Sequence, residues 1–299
     1  MAAHVLNPAS SEEAVVFGVE GRLVGIVTPP PAHAATGAPR IGVIFLNAGV
    51  VHRVGPSRLY VTLARHLSRS GFTAFRFDHS GIGDSQPRND HLTFEQSSVA
   101  EAIEAMDWLA AERGCRHFVI VGLCSGTLTA FRTAQADERV KSVVLLTALL
   151  VDPSTVPAEV VQEASERRIA RSYLVEKASS AAAWRKIFAR RVDYRRIVRV
   201  LRRLIAGRVK PPTAVPGSDV LVRELQALLE RGVSLQFIYA EPTTVLEWFR
   251  MTVAPAIPGL QRHGRIEVHI IKHADHTFTR LRHQSEVVQR VATWVRQCI

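Results

Sequence analysis

The sequence of 299 residues predicts an α/β fold, with a mostly parallel eight-stranded sheet covered by helices on both faces. Short apolar runs alternate with helical segments through the first half of the chain. That alternation stops near Leu149 and resumes near Asp219, which marks an insertion after the sixth strand. A Gly-x-Cys-x-Gly segment, Gly122-Leu123-Cys124-Ser125-Gly126, stands between a strand and a helix.

The elements follow in order. Val15 to Val27 reads as two strands turning at Glu20-Gly21, and the Pro- and Ala-rich Thr28 to Arg40 as a surface loop. Ile41 to Leu46 is a buried strand. Ser57 to Ser70 is a helix stopped by Gly71, and Phe72 to Phe77 is the next strand. From Ser97 to Arg113 the apolar residues Ala100, Ile103, Met106 and Leu109 recur at helical spacing. His117 to Val121 is a strand that leads into the Gly-x-Cys-x-Gly turn and another helix, and Lys141 to Thr147 is the sixth strand. Residues 149–216 contain no convincing strand and read as a basic helical lid. Beyond them come a helix at Asp219–Arg231, a strand at Ser234–Tyr239, a helix near Leu246, a strand at Ile266–Ile271 and a final helix. The chain thus divides into a core of residues 1–148 and 217–299 and a lid of residues 149–216.

Composition narrows the class. With 47% hydrophobic and 22% charged residues, the chain suits a globular domain with a sizeable core. No apolar run approaches the roughly 18–20 residues of a membrane span, so no stable membrane insertion is expected. Met1 to Ser10 has no signal-peptide pattern. The three cysteines, Cys115, Cys124 and Cys298, are widely spaced and fit neither a disulfide framework nor a zinc site. A reducing cytoplasm is the expected location, and neither metal nor cofactor is expected. The net charge of +11 is concentrated. Arg167 to Lys210 holds fifteen Lys or Arg against only Glu176 and Asp193. Such a run is either a solvated helical face or a docking surface for an anionic partner. It has few aromatics and no nucleic-acid motif, so nucleic acid is not the expected partner.

The chemistry centres on Cys124. A nucleophile elbow needs small residues on either side, because its central residue sits in a strained turn where flanking Cβ atoms would clash. The turn delivers the side chain to a helix N-terminus, where N–H groups and the helix dipole favour a developing anion and lower a thiol pKa. The backbone N–H of Ser125, one residue past the nucleophile, is the expected oxyanion donor. The loop after Ile41–Leu46 supplies the second, from Gly49 or Val50. Asn47 is a candidate to orient that loop and, with Arg53, to bind substrate, and Arg58 and Tyr60, which follow closely, are candidates to help hold it. His276, between the last strand and the last helix, follows the nucleophile in chain order and is the expected base, with His273 its nearest rival. Asp78 and Asp84 read as structural residues of the turn that supports the elbow.

The run NAGVVHRVGPSRLYVTLARHLSRSGFTAFRFDHSGIGDS, the GLCSG elbow and the closing ADHTFT resemble bacterial α/β-hydrolases of the serine-aminopeptidase-like group. The resemblance covers both halves of the sheet and says nothing of the basic insertion. An insertion after the sixth strand, as at residues 149–216, is where α/β-hydrolases carry a helical lid. The cysteine at the elbow is similar to dienelactone hydrolases, polyhydroxyalkanoate synthases and acyltransferases that serve carrier proteins. The family places an aspartate three residues after the Gly or Ser ending strand seven, and here that position is Thr243. Glu241 is the favoured replacement, with Glu247, Asp152 or a Cys–His dyad as alternatives. A thiolate–imidazolium pair depends less on a third member than a serine does.

Thiolate, histidine and oxyanion hole together imply acyl transfer through an S-acyl enzyme. The leading expectation is an acyltransferase or thioesterase acting on an acyl thioester, bound to coenzyme A or to an acidic acyl or peptidyl carrier protein docked on the basic lid, in a biosynthetic pathway. The alternatives are an esterase or lactonase of dienelactone-hydrolase type, and a degenerate hydrolase-fold binding module.

Overall fold

Strands β3 (Arg40–Leu46), β4 (Thr73–Asp78), β5 (Cys115–Leu123), β6 (Val140–Leu146), β7 (Ser234–Glu241) and β8 (Ile266–Lys272) run parallel, while β1 (Glu13–Phe17) and β2 (Leu23–Thr28) form an antiparallel hairpin at one edge. The structure, a computed structural model, describes residues 12–31, 40–151, 156–177 and 217–298. The strand order is β1-β2-β4-β3-β5-β6-β7-β8, and only the two pairings of β2 are antiparallel. The register sets Leu46 beside Gly122, Leu123 beside Leu146, Leu146 beside Ile238 and Glu241 beside Lys272. The loops after β3, β5, β6, β7 and β8 therefore gather at one end of the sheet, where open α/β sheets bind their ligands.

Two apolar layers sandwich the sheet. One packs α1 (Leu59–Arg69) and the C-terminal helix α7 (Leu281–Cys298) through Leu63, Leu67, Val287, Val291 and Trp294. The other packs α2 (Phe94–Arg113), α3 (Gly126–Ala136), α5 (Ser218–Glu230) and α6 (Thr244–Thr252) through Met106, Phe131, Leu225 and Phe249. Both faces are covered, so the central strands are mostly apolar rather than alternating, with buried polar exceptions at Arg76, Asp78, Ser142 and Gln236. Each fully buried Leu or Phe contributes about 1.5–3 kcal/mol. The Trp294 indole N–H donates to the Ser142 hydroxyl at 2.8 Å, which satisfies the one polar atom of a buried ring.

The strands and helices expected in the core are all present among the described residues, with shifted ends. α2 begins three residues earlier than its apolar period suggests, because Thr93 and Gln96 form a capping box. α1 begins two residues later, because Ser57 and Arg58 take positive φ in a 3-10 turn after Gly55. After β6 the chain enters a helix, α4 (Ala158–Lys177), which packs against α6. Residues 152–155 and 178–216, which hold Asp152 and most of the basic insertion, lie outside the described residues. No helix among the described residues is long and apolar enough to cross a membrane.

Candidate active site

The turn between β5 and α3 is shaped by its glycines. A Cβ on Gly122 would stand 2.3 Å from the Gly126 carbonyl oxygen, and one on Gly126 would stand 2.5 Å from the Asn47 carbonyl oxygen. Both contacts are with backbone that cannot swing away, so only glycine fits either position. Between them Cys124 adopts φ +55°, a left-handed conformation costing a non-glycine residue about 1–3 kcal/mol. The turn is held in place by the Cys124 N–H, which donates to the Leu146 carbonyl at 3.1 Å. The Cys124 carbonyl accepts the Thr127 N–H at 3.1 Å and the Thr127 hydroxyl at 2.5 Å. Cys124 is partly buried and free of any disulfide. Ser125, one residue on, is exposed at the start of α3. Its N–H and that of Gly126 precede the hydrogen-bond ladder of the helix.

The loop after β3 meets this turn directly. The Gly49 N–H donates to the Ser125 hydroxyl at 2.7 Å, which brings together two of the residues expected at the oxyanion hole. Gly49 has φ +58°, and the turn closes through the Val51 N–H to the Ala48 carbonyl at 3.1 Å. Val50 is the tip of that turn and is 89% exposed, so Gly49 rather than Val50 faces the elbow. Asn47 is buried and fully engaged within the protein. Its amide donates to the Val51 carbonyl at 3.0 Å and to Asp78 at 3.2 Å, and its carbonyl oxygen accepts the His79 N–H at 2.8 Å. The Arg53 guanidinium is shared between Asp78 and Asp84. Asn47 and Arg53 thus brace the loop instead of presenting donors to a substrate. Asp78 and Asp84 support this loop rather than the elbow. Tyr60 is a correction of the same kind. It is fully buried, its hydroxyl donates to the Leu46 carbonyl at 2.9 Å, and burial pushes its pKa far up, so it cannot hold substrate.

The histidine side is built on the end of β6. Thr147, immediately after Leu146, donates its hydroxyl to the His276 carbonyl at 2.9 Å and its N–H to the Ile238 carbonyl at 2.8 Å. Two adjacent residues therefore hold the backbones of Cys124 and His276. Thr147 has φ +48°, a strained conformation for a β-branched residue, and nothing in the sequence announces it. The next peptide is anchored as well, since the Ala148 carbonyl accepts the Tyr239 hydroxyl at 3.2 Å. Asp275 closes the His276 turn by accepting from the N–H and hydroxyl groups of both Thr277 and Thr279. Partial burial works against its charge, but those hydrogen bonds outweigh it and hold the carboxyl at about 2. Burial lowers the His276 pKa, against the opposing pull of Asp275, so the imidazole is neutral and able to take a proton at neutral pH. His273 is exposed, in a turn with φ +58°.

Among the candidates for the acid, Glu241 and Glu247 are paired with Arg250, and Asp152 lies outside the described residues. Glu241, at the end of β7, is 8% exposed, and its carboxylate pairs with Arg250 at 2.8 Å. The same guanidinium pairs with Glu247 at 2.6 Å. Among the described residues no carboxylate hydrogen-bonds the His276 ring, and the recorded partner of Glu241 is Arg250. Thr243, at the family's aspartate position, is the N-cap of α6. It accepts the Leu246 N–H at 3.3 Å and donates to the Ala240 carbonyl at 2.8 Å. Arg250 was readable as an (i, i+3) partner of Glu247, but its reach to Glu241 was not. Among the described residues no group of three or more His, Cys, Asp or Glu is placed to hold a metal ion.

Residues 43–173 match a family model described as the alpha/beta hydrolase fold. Solved structures similar to the chain over nearly its whole length include an esterase from Pyrococcus furiosus, with 13% identity, a TM-score of 0.57 and coverage of 99% of this chain and 95% of that one. A dienelactone hydrolase from Anabaena variabilis shows 16% identity and a TM-score of 0.51, covering 97% and 99%. An α/β serine hydrolase without lid from Xanthomonas campestris shows 14% identity and a TM-score of 0.51, covering 99% and 97%. No curated protein matches the chain. The protein has the α/β-hydrolase fold, with Cys124 in the turn between β5 and α3.

Proposed function

We propose that the protein is a cysteine-dependent acyltransferase or thioesterase that works through an S-acyl enzyme on a carrier-protein- or coenzyme A-bound acyl group in a biosynthetic pathway. The observation that carries this reading is a strained cysteine in the β5–α3 turn, with Ser125 and Gly49 meeting beside it. His276 takes the Cys124 proton, and the thiolate attacks the acyl carbonyl. His276 then returns a proton to the leaving group and activates the accepting water, alcohol, amine or thiol. Exchange between one thioester and another is nearly isoenergetic, which suits loading from a thioester donor. The absence of a carboxylate on the His276 ring among the described residues favours a thiol over a serine, because a thiol needs less help to ionise.

The fifteen basic residues between Arg167 and Lys210 support an acidic carrier protein or a coenzyme A phosphate as the recognised group. In this reading residues 149–216 form a lid on a core of residues 1–148 and 217–299, and the protein works in the cytoplasm. A second reading, an esterase or lactonase acting on free esters, is favoured by the esterase and the dienelactone hydrolase among the similar structures.

Intact-protein mass spectrometry after incubation with acyl-coenzyme A and acyl-carrier-protein thioesters tests the proposal, with wild type compared to Cys124→Ala. A mass gain confined to wild type is the expected result. Turnover of simple esters without thioester loading would select the second reading. Acylation retained by Cys124→Ala would remove Cys124 from the chemistry.

A further inference from the structure

We infer that the Ser125 side-chain hydroxyl, polarised by the Gly49 N–H, is itself an oxyanion donor. This rests on the reading of Cys124 as the attacking group. The Gly49 N–H is occupied, because it donates to the Ser125 oxygen at 2.7 Å. It is also fixed. The 48–51 turn is closed by its own hydrogen bond, Asn47 is held by Asp78 and His79, and the Asn47 carbonyl lies against Gly126. Gly49 cannot turn to a substrate without dismantling that bracing. The Ser125 hydroxyl, in contrast, is exposed beside Cys124, and among the described residues its proton has no acceptor. A hydroxyl that accepts a hydrogen bond becomes a stronger donor in turn. The Gly49 N–H therefore acts through the hydroxyl.

The thiolate pair forms the S–C bond, and the carbonyl π pair moves onto oxygen. That oxygen accepts the Ser125 O–H and the Ser125 N–H. Collapse restores the C=O bond and expels the leaving group, which takes its proton from the His276 imidazolium.

A short-chain alkyl trifluoromethyl ketone tests the hydroxyl without knowledge of the natural acyl group, because Cys124 would add to it to give a tetrahedral hemithioketal. Affinity is read by fluorine NMR for wild type, Ser125→Ala and Ser125→Thr, and thermal midpoints verify that the variants fold. The expected result is weakening by about 10–100-fold in Ser125→Ala, the loss of one hydrogen bond to a charged oxygen, with most of the affinity kept in Ser125→Thr. Equal or tighter binding by Ser125→Ala would overturn the inference, since it would mean that the hydroxyl merely plugs a hole served by the Gly49 N–H. No adduct in wild type would overturn the Cys124 reading, and this inference with it.

Discussion

The nucleophile side of the candidate site and its histidine side are held by different kinds of force. Around Cys124 the geometry is fixed mainly by backbone against backbone, with two glycines at van der Waals limits and a strained φ, and the β3 loop is tied to the elbow through the Ser125 hydroxyl. Around His276 the geometry depends on one threonine hydroxyl and an aspartate-closed turn, and the nearby β7 carboxylate is committed to an arginine. Steric exclusion leaves no alternative residue, whereas side-chain pairing can be satisfied by several partners. The first kind of constraint is written into local sequence and the second is not.

Breaking the nucleophile side has the largest expected effect. Cys124→Ser keeps the turn but gives the site a nucleophile that needs an oriented base, so acylation falls by at least about a hundredfold in single-turnover kinetics. Near wild-type rates would mean that a carboxylate reaches His276 after all. Gly126→Ala drives a Cβ into the Asn47 carbonyl and destabilises the protein by about 1–3 kcal/mol in denaturant titrations, while displacing both oxyanion donors. An unchanged midpoint would show that the loop yields.

The histidine side gives smaller and more graded effects. Because burial lowers the His276 pKa, the acid limb of the pH–rate profile should fall below the usual histidine value of about 6.5. The sign for stability follows from the same shift. The unfolded histidine binds its proton at higher pH than the folded one, so stability conferred by the neutral ring is lost as pH falls below about 6.5. His276→Gln should flatten both curves. Thr147→Val removes one hydrogen bond to the His276 carbonyl and should cost about 1 kcal/mol with a loss in rate of about tenfold or less. Glu241→Gln should change acylation least, within about threefold, yet lower stability because it leaves Arg250 with a weaker partner in a mostly buried position. A rate loss exceeding the stability loss would return Glu241 to the histidine.

The fold was legible almost throughout, since the parallel strands are short, largely apolar runs and the Gly-x-Cys-x-Gly turn stands between a strand and a helix. The element ends that shifted were those set by capping and by positive φ, at Thr93 and at Ser57–Arg58. In the candidate site, the turn around Cys124 was legible because close backbone contacts leave room only for glycine at residues 122 and 126. Asn47 holds the loop that it was expected to orient, whereas Arg53 and Tyr60 are bonded within the protein, since in sequence a polar side chain near such a loop looks the same whether it faces a ligand or its own backbone. Thr147 carried no signal. The pairing of Glu241 with Arg250 required knowing that α6 folds back against the end of β7.

Thr147 and Ala148 carry one more consequence. The chain is pinned at Thr147 by two hydrogen bonds, at Ala148 by the Tyr239 hydroxyl, and at Leu150 by burial in the core. In engineering terms these residues are a clamp on the chain as it leaves β6. A disturbance that starts beyond Val151 meets three fixed points before it can alter the backbone anchors of Cys124 and His276.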